Sequence, residues 1–267
     1  MTQIIQTFIP YAEVVGEGDP IVLVHGGWTD GSRWSFVAPE LARTNTVVVY
    51  DRRGHSRSVW SGAVTRRTDE DDLAELIDRL GCGPAHLVGN SYGAAIALGT
   101  AARYPDLVRS VAGHEPPLLG VARFAPALAS EMDNFAAIAE LVADDIRRNE
   151  ATRGAQRFVE DAVFGPGAWA MLPDSMKSTM VANAWTFVGM LQDQAWADVP
   201  AAPGRDIPVL LTDGDQTPAW LPHIVAALLE GPYRAAQHAT FAGAGHSPHV
   251  THPAEFVEVI RDFIASV

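Results

Sequence analysis

The stretch Val88-Gly89-Asn90-Ser91-Tyr92-Gly93-Ala94-Ala95 sets a serine between two glycines. An apolar run, Ala85 to Val88, precedes it, and a helix-forming run, Ala94 to Arg103, follows. A chain that turns from strand to helix over so few residues forces Ser91 into a strained backbone conformation, and glycines on either side let neighbouring segments pass close. The hydroxyl is then held beside the N–H groups of a helix N-terminus. That arrangement suits a nucleophile. A free serine hydroxyl is a poor one and needs an adjacent base. His246 follows the Gly-rich loop Ala242-Gly243-Ala244-Gly245, after the last expected strand and before the last expected helix. The base in turn needs a buried acid to hold its tautomer and stabilise imidazolium. Glu115, Asp213 and Asp215 each come at the end of an expected strand and offer that carboxylate.

The elements that must position these groups read as alternating strands and helices. Residues 3–9 and 11–15 look like two short strands. Continuous apolar runs at 21–24, 46–50, 85–89, 107–112, 207–212 and 235–241 fit strands buried on both faces. Between them, 33–43, the run after Thr68, 94–103, 219–230 and 252–265 read as helices. Thr68-Asp69-Glu70-Asp71 looks like a capping box, and Leu73, Leu76, Ile77 and Leu80 recur at helical spacing. Strands separated by helices predict an α/β architecture, a mostly parallel sheet with helices on both faces. Sites in such sheets form beyond the carboxyl ends of the strands, and every residue singled out above lies there.

Residues 118–205 break the alternation. They are Ala-rich, with helical stretches at 122–148, 151–163 and 174–194, and they predict an inserted helical cap. The expected core is then 1–117 together with 206–267. Phe124, Met132, Phe135, Phe164, Trp169, Met171, Met176, Trp185, Phe187, Met190 and Trp196 supply aromatic and thioether surface in the insertion. Most are expected to form the insertion's own core. As a group they favour an apolar or aromatic ligand. Trp185 is the expected substrate contact among them.

The 267 residues are 48% hydrophobic and 19% charged, which suits a globular chain of one domain with an insertion. A net charge of −13 disfavours nucleic acid and anionic membrane as partners. With Cys82 as the only cysteine, an intrachain disulfide is impossible and a Cys-based zinc site is not expected. The start shows no basic segment followed by a long apolar one, and no apolar run is long enough to span a membrane, so a cytoplasmic protein is expected. Of the other histidines, His86 and His238 read as structural strand residues, and His249 and His252 as loop polarity and a helix start before Pro253. His55 and His223 lack a supporting context.

His25-Gly26-Gly27, Asp51-Arg52-Arg53-Gly54, Gly89-Asn90-Ser91-Tyr92-Gly93 and Gly245-His246-Ser247-Pro248 together resemble the motifs of the α/β-hydrolase fold, over essentially the whole chain. The resemblance implies Ser91 as nucleophile and His246 as base. It implies oxyanion donors at the backbone N–H of Tyr92 and in the turn at Gly27, with Trp28 supplying that donor or walling the pocket. His25 is then a scaffold residue, and Asp51 and Arg53 brace loops by ion pairing. Members commonly carry the acid in a Gly-x-x-Asp spacing after the strand that follows the cap. Here Gly214-Asp215-Gln216-Thr217 puts Thr217 in that place and leaves Asp215 as the nearest substitute. Other branches, to which this chain is similar, carry the acid one helix and one strand beyond the serine; zearalenone-type lactone hydrolases are an example. That position is Glu115, on a backbone stiffened by Pro116 and Pro117. Glu115 is the preferred acid and Asp215 the alternative. The implied activity is two-step acyl transfer on a small-molecule carboxylic ester or lactone, with no metal or organic cofactor. The alternatives are a C–C bond hydrolase of a diketone-like substrate, which Thr217 argues against, and a ligand-binding protein on a hydrolase scaffold. A serine at position 91 argues against the dehalogenase and epoxide-hydrolase branches, which use aspartate.

Overall fold

A computed structural model describes residues 8–204 and 207–267. Seven strands form one sheet: β1 (Ala12–Val15), β2 (Asp19–Val24), β3 (Asn45–Tyr50), β4 (Ala85–Asn90), β5 (Val108–His114), β6 (Val209–Gly214) and β7 (Gln237–Phe241). Their order is β1-β3-β2-β4-β5-β6-β7. β1 pairs antiparallel with β3 and every other pairing is parallel. The expected strand at 3–9 falls mostly outside the described residues.

The central strands read as unbroken apolar runs because both faces of the sheet are covered. Side chains alternate across a strand, so Ile21 and Leu23 enter one core with Trp34, Leu41, Phe256 and Ile260, while Val22 and Val24 enter the other. The second core takes in Leu73 and Ile77 from the Arg66–Leu80 helix, Ile96 from the Tyr92–Arg103 helix, and much of the segment between β5 and β6.

Helix ends differ from the sequence reading where local chemistry decides. The first helix after β3 begins at Arg66, not after Thr68, because Thr65 is the cap. Thr68 N–H donates to Thr65 Oγ1 at 3.1 Å and Thr65 N–H donates to Thr68 Oγ1 at 2.9 Å. The expected helix at 33–43 is a 3-10 turn, Gly31–Phe36, followed by a short α-helix, Ala38–Leu41. Asp30 sets that turn by accepting from Ser32 N–H at 2.9 Å. The segment after β5 is helical as expected, with breaks. Its longest helix is Ala129–Arg147, the 151–163 stretch ends in a π-helical turn at Phe158–Val163, and the 174–194 stretch divides at Asn183 into Asp174–Ala182 and Ala184–Gln192. Among the described residues, no helix is long and apolar enough to cross a membrane.

Candidate active site

Register brings the chemistry together. β4 and β5 pair Gly89 with Gly113 and Asn90 with His114, so Ser91 and Glu115 leave adjacent strands at the same level. β5 and β6 pair His114 with Thr212, which sets the 213–217 turn beside them.

Ser91 sits at φ 55°, ψ −126°, a left-handed φ rare outside glycine, and caps the Tyr92–Arg103 helix. Its N–H donates to His114 O at 2.8 Å. The flanking glycines are there for space. A Cβ on Gly93 would lie 2.1 Å from Val24 O, and one on Gly89 would lie 2.5 Å from Gly93 O. Strand β4, strand β2 and the helix after the serine approach too closely for any side chain.

Glu115 is fully buried and also adopts a positive φ, 45°. One carboxylate oxygen accepts from Gly214 N–H at 2.9 Å. The other meets His246 Nδ1 at 2.5 Å and the Thr217 hydroxyl at 3.1 Å. Burial alone would raise its pKa. The hydrogen bond and charge of His246, the nearby His114 and the Gly214 N–H outweigh burial and hold it below the ordinary 4.5. The contact also fixes the tautomer of His246: an ionised carboxylate can only accept, so Nδ1 carries the proton and Nε2 is left as the basic nitrogen.

The competing carboxylates are elsewhere. Asp215 is exposed and accepts from Gly243 N–H at 2.7 Å. Asp213 meets His238 Nε2 at 3.0 Å. Neither touches His246. Thr217, in the place where members of the family commonly carry an aspartate, donates to Glu115.

Ser91 and His246 line one cavity, with no hydrogen bond joining them; Gly27, Trp28 and Tyr92 also line it. None of these last three N–H groups donates to an acceptor among the described residues. The glycine needed for close approach is Gly26, where a Cβ would lie 3.2 Å from Ser91 Cβ. At Gly27 it would meet nothing within 4 Å, so Gly27 faces open space. Trp28 is buried, with ring centres 4.9 Å from Phe187 and 5.1 Å from Phe158.

Around this floor His25 is scaffold: Nδ1 donates to Gly26 O at 2.9 Å and Nε2 accepts from Arg52 N–H at 2.9 Å. Burial and the Arg52 charge push its pKa well below the ordinary 6.5, so it stays neutral. Asp51 pairs with Arg57 at 2.7 Å and Arg53 with Asp72, both away from the cavity.

The insertion supplies the roof. Phe135, Phe164, Met176, Phe187, Met190 and Trp196 line the cavity. Trp185 does not; it is 56% exposed, which corrects the expected contact. The cause is helical geometry. Residues two apart point about 200° apart, so turning Phe187 inward turns Trp185 out. Two further corrections concern polar groups. His249, read as loop polarity, is buried in the cavity wall, and Arg33, not singled out in the sequence, lines it as well. As to metals, His114, Glu115 and His246 each place a possible ligand atom within 4.8 Å of the others, but two of the three are already hydrogen-bonded to each other.

A model of the alpha/beta hydrolase family matches residues 21–259. The chain belongs to the alpha/beta hydrolase family. Within the family, an uncharacterised hydrolase, YraK, of Bacillus subtilis (strain 168) is 42% identical over 110 residues, which cover 40% of this chain and only 41% of the relative. The pimeloyl-[acyl-carrier protein] methyl ester esterase of Sodalis glossinidius (strain morsitans) is 28% identical over 259 residues, 94% of this chain and 96% of that one. Among solved structures, Est816, described as an N-acyl homoserine lactone degrading enzyme, superposes with a TM-score of 0.68 at 24% identity, covering 95% of this chain and 96% of its own. That likeness carries the fold.

Proposed function

We propose that this alpha/beta hydrolase is a serine hydrolase that cleaves a carboxylic ester or lactone of a small, largely apolar molecule through Ser91, His246 and Glu115. The observation that carries the reading is the buried Glu115–His246 hydrogen bond, at the wall of the cavity that also holds the strained Ser91. His246 Nε2 takes the Ser91 proton as Oγ attacks the carbonyl. The contact closes when substrate fills the cavity, as catalytic hydrogen bonds commonly do. Negative charge on the carbonyl oxygen is met by the Tyr92 N–H and by the turn at Gly27 and Trp28, whose N–H groups are unengaged. Imidazolium, stabilised by the Glu115 carboxylate, returns the proton to the leaving oxygen. Water then attacks the acyl-enzyme by the same route in reverse. Ester cleavage by the full-length Sodalis relative and lactone cleavage by Est816 both fit this chemistry.

The test combines labelling and turnover. A fluorophosphonate probe is expected to label wild type and not Ser91→Ala, and Ser91→Ala is expected to lose more than about 10³-fold in kcat on short 4-nitrophenyl esters. Glu115→Ala is expected to lose about 10²–10⁴-fold, by analogy with removal of other triad acids. Asp215→Ala should stay near wild type. Near-normal turnover by Glu115→Ala beside a dead Asp215→Ala would overturn the assignment. A dienone-acid panel run alongside reports any preference for C–C cleavage.

A further inference from the structure

One charge stands in the cavity wall. Arg33 is the only charged side chain among the described residues that line it, and no carboxylate lines it. It stands in the Gly31–Phe36 turn and is partly buried. Its guanidinium forms no ion pair, hydrogen bond or ring contact with a described residue. The neighbouring acid, Asp30, acts on Arg33 through its charge but directs its oxygens to neutral donors. Oδ1 accepts from Ser32 N–H at 2.9 Å and Ser32 Oγ at 2.5 Å, and Oδ2 accepts from Ser56 Oγ at 2.6 Å.

Three further lining residues hold buried polar atoms with no partner: Trp28 Nε1, Trp34 Nε1 and His249 Nδ1. The Trp34 and His249 rings lie 4.5 Å apart, and the Arg33 charge helps push His249 to its neutral form, after burial. Indole N–H and guanidinium groups only donate. A charged donor partly withdrawn from water and without a side-chain or backbone acceptor favours a ligand that supplies one. A ligand that met the Arg33 guanidinium would bring acceptors and negative charge. A carboxylate does both, and its two oxygens match the guanidinium fork. The chain as a whole carries a charge of −13, so Arg33 is not one cation of a generally basic surface.

We propose that Arg33 determines specificity, binding a carboxylate on the substrate at a point away from the scissile carbonyl, so that the substrate is an anionic ester or lactone whose apolar part lies under the aromatic roof. The proposal rests on the reading of Ser91 as nucleophile and adds the substrate's charge to it. The carboxylate takes no part in bond making or breaking; its contact with Arg33 sets where the carbonyl lies relative to Ser91.

Two matched pairs of substrates test it, one with the carboxylate on the acyl side (4-nitrophenyl hydrogen adipate against its primary amide) and one on the alcohol side (4-acetoxybenzoate against 4-acetoxybenzamide). Wild type is expected to prefer the charged member of at least one pair by about tenfold or more in kcat/KM, expressed in KM, from a charge-assisted hydrogen bond. Arg33→Met should collapse that ratio to near one, and Arg33→Lys should restore part of it. Equal use of both members by wild type, or an unchanged ratio in Arg33→Met, overturns the proposal while leaving the Ser91 reading intact. Should no ester be turned over, calorimetry on folded Ser91→Ala with monomethyl adipate against its amide separates the two readings. Tighter binding of the anion, lost on adding Arg33→Met, supports Arg33 without any chemistry. Equal or undetectable binding of both overturns it.

Discussion

At the scale of single residues, the acid was the least legible part of the site. Glu115 and Asp215 both follow strands, and local pattern cannot tell which one reaches His246. Register decides, because Asn90 pairs with His114 and so seats Glu115 beside the serine. Thr217 had counted only as a missing aspartate; its hydroxyl instead donates to Glu115. Arg33 escaped notice for a related reason. A guanidinium in a polar turn looks ordinary until Asp30, the acid beside it, is seen to direct its oxygens to Ser32 and Ser56. The Glu115 network also has a consequence for stability. Its folded-state pKa lies below the ordinary 4.5, so its stabilising contribution is fully present above about that pH and is lost as pH falls through the lower folded value. Thermal melts of wild type should therefore show Tm falling on acidification below that point. Glu115→Gln should show a shallower fall over the same window, because the titrating group is gone. Identical slopes for the two proteins would mean that the carboxylate is not held by these partners.

At the scale of elements, the sheet strands were readable because burial on both faces leaves a plain apolar run. The turn at Ser91 was readable because close backbone approach demands glycine at Gly89 and Gly93. The insertion was harder. Its helices are rich in alanine on more than one side, so the inward face was not fixed by pattern, and Trp185 was assigned to a wall that Phe187 and Met190 occupy. What docks these helices is partly polar. Buried Asn183, at the break between two of them, donates to Thr29 O at 3.1 Å and Trp28 O at 3.3 Å and accepts from Ser56 N–H at 2.9 Å. It ties the roof to the turn that carries the proposed oxyanion donors. Asn183→Ala leaves buried partners unsatisfied, at about 1–3 kcal/mol. Faster amide exchange across 174–192 is expected, with a drop in kcat/KM of roughly tenfold, about 1.4 kcal/mol. Unchanged exchange in these helices would show that apolar packing alone holds them.

At the scale of the whole molecule, composition shaped expectations about partners more than it identified a ligand. It pointed away from nucleic acid and membrane partners, and the alternation of elements gave the layered sheet, but the ligand charge proposed above rests on one side chain of a turn. The order of the functional groups along the chain also matters. Ser91 and Glu115 come before the inserted helices and are locked to each other by two adjacent strands; only His246 comes after. Changes in the length or sequence of the segment between β5 and β6 therefore cannot move the acid relative to the serine. Such a layout is modular: the segment that roofs the cavity can drift, or be grafted from a relative, while the contacts of Glu115 with Gly214, Thr217 and His246 re-form with the chain that follows.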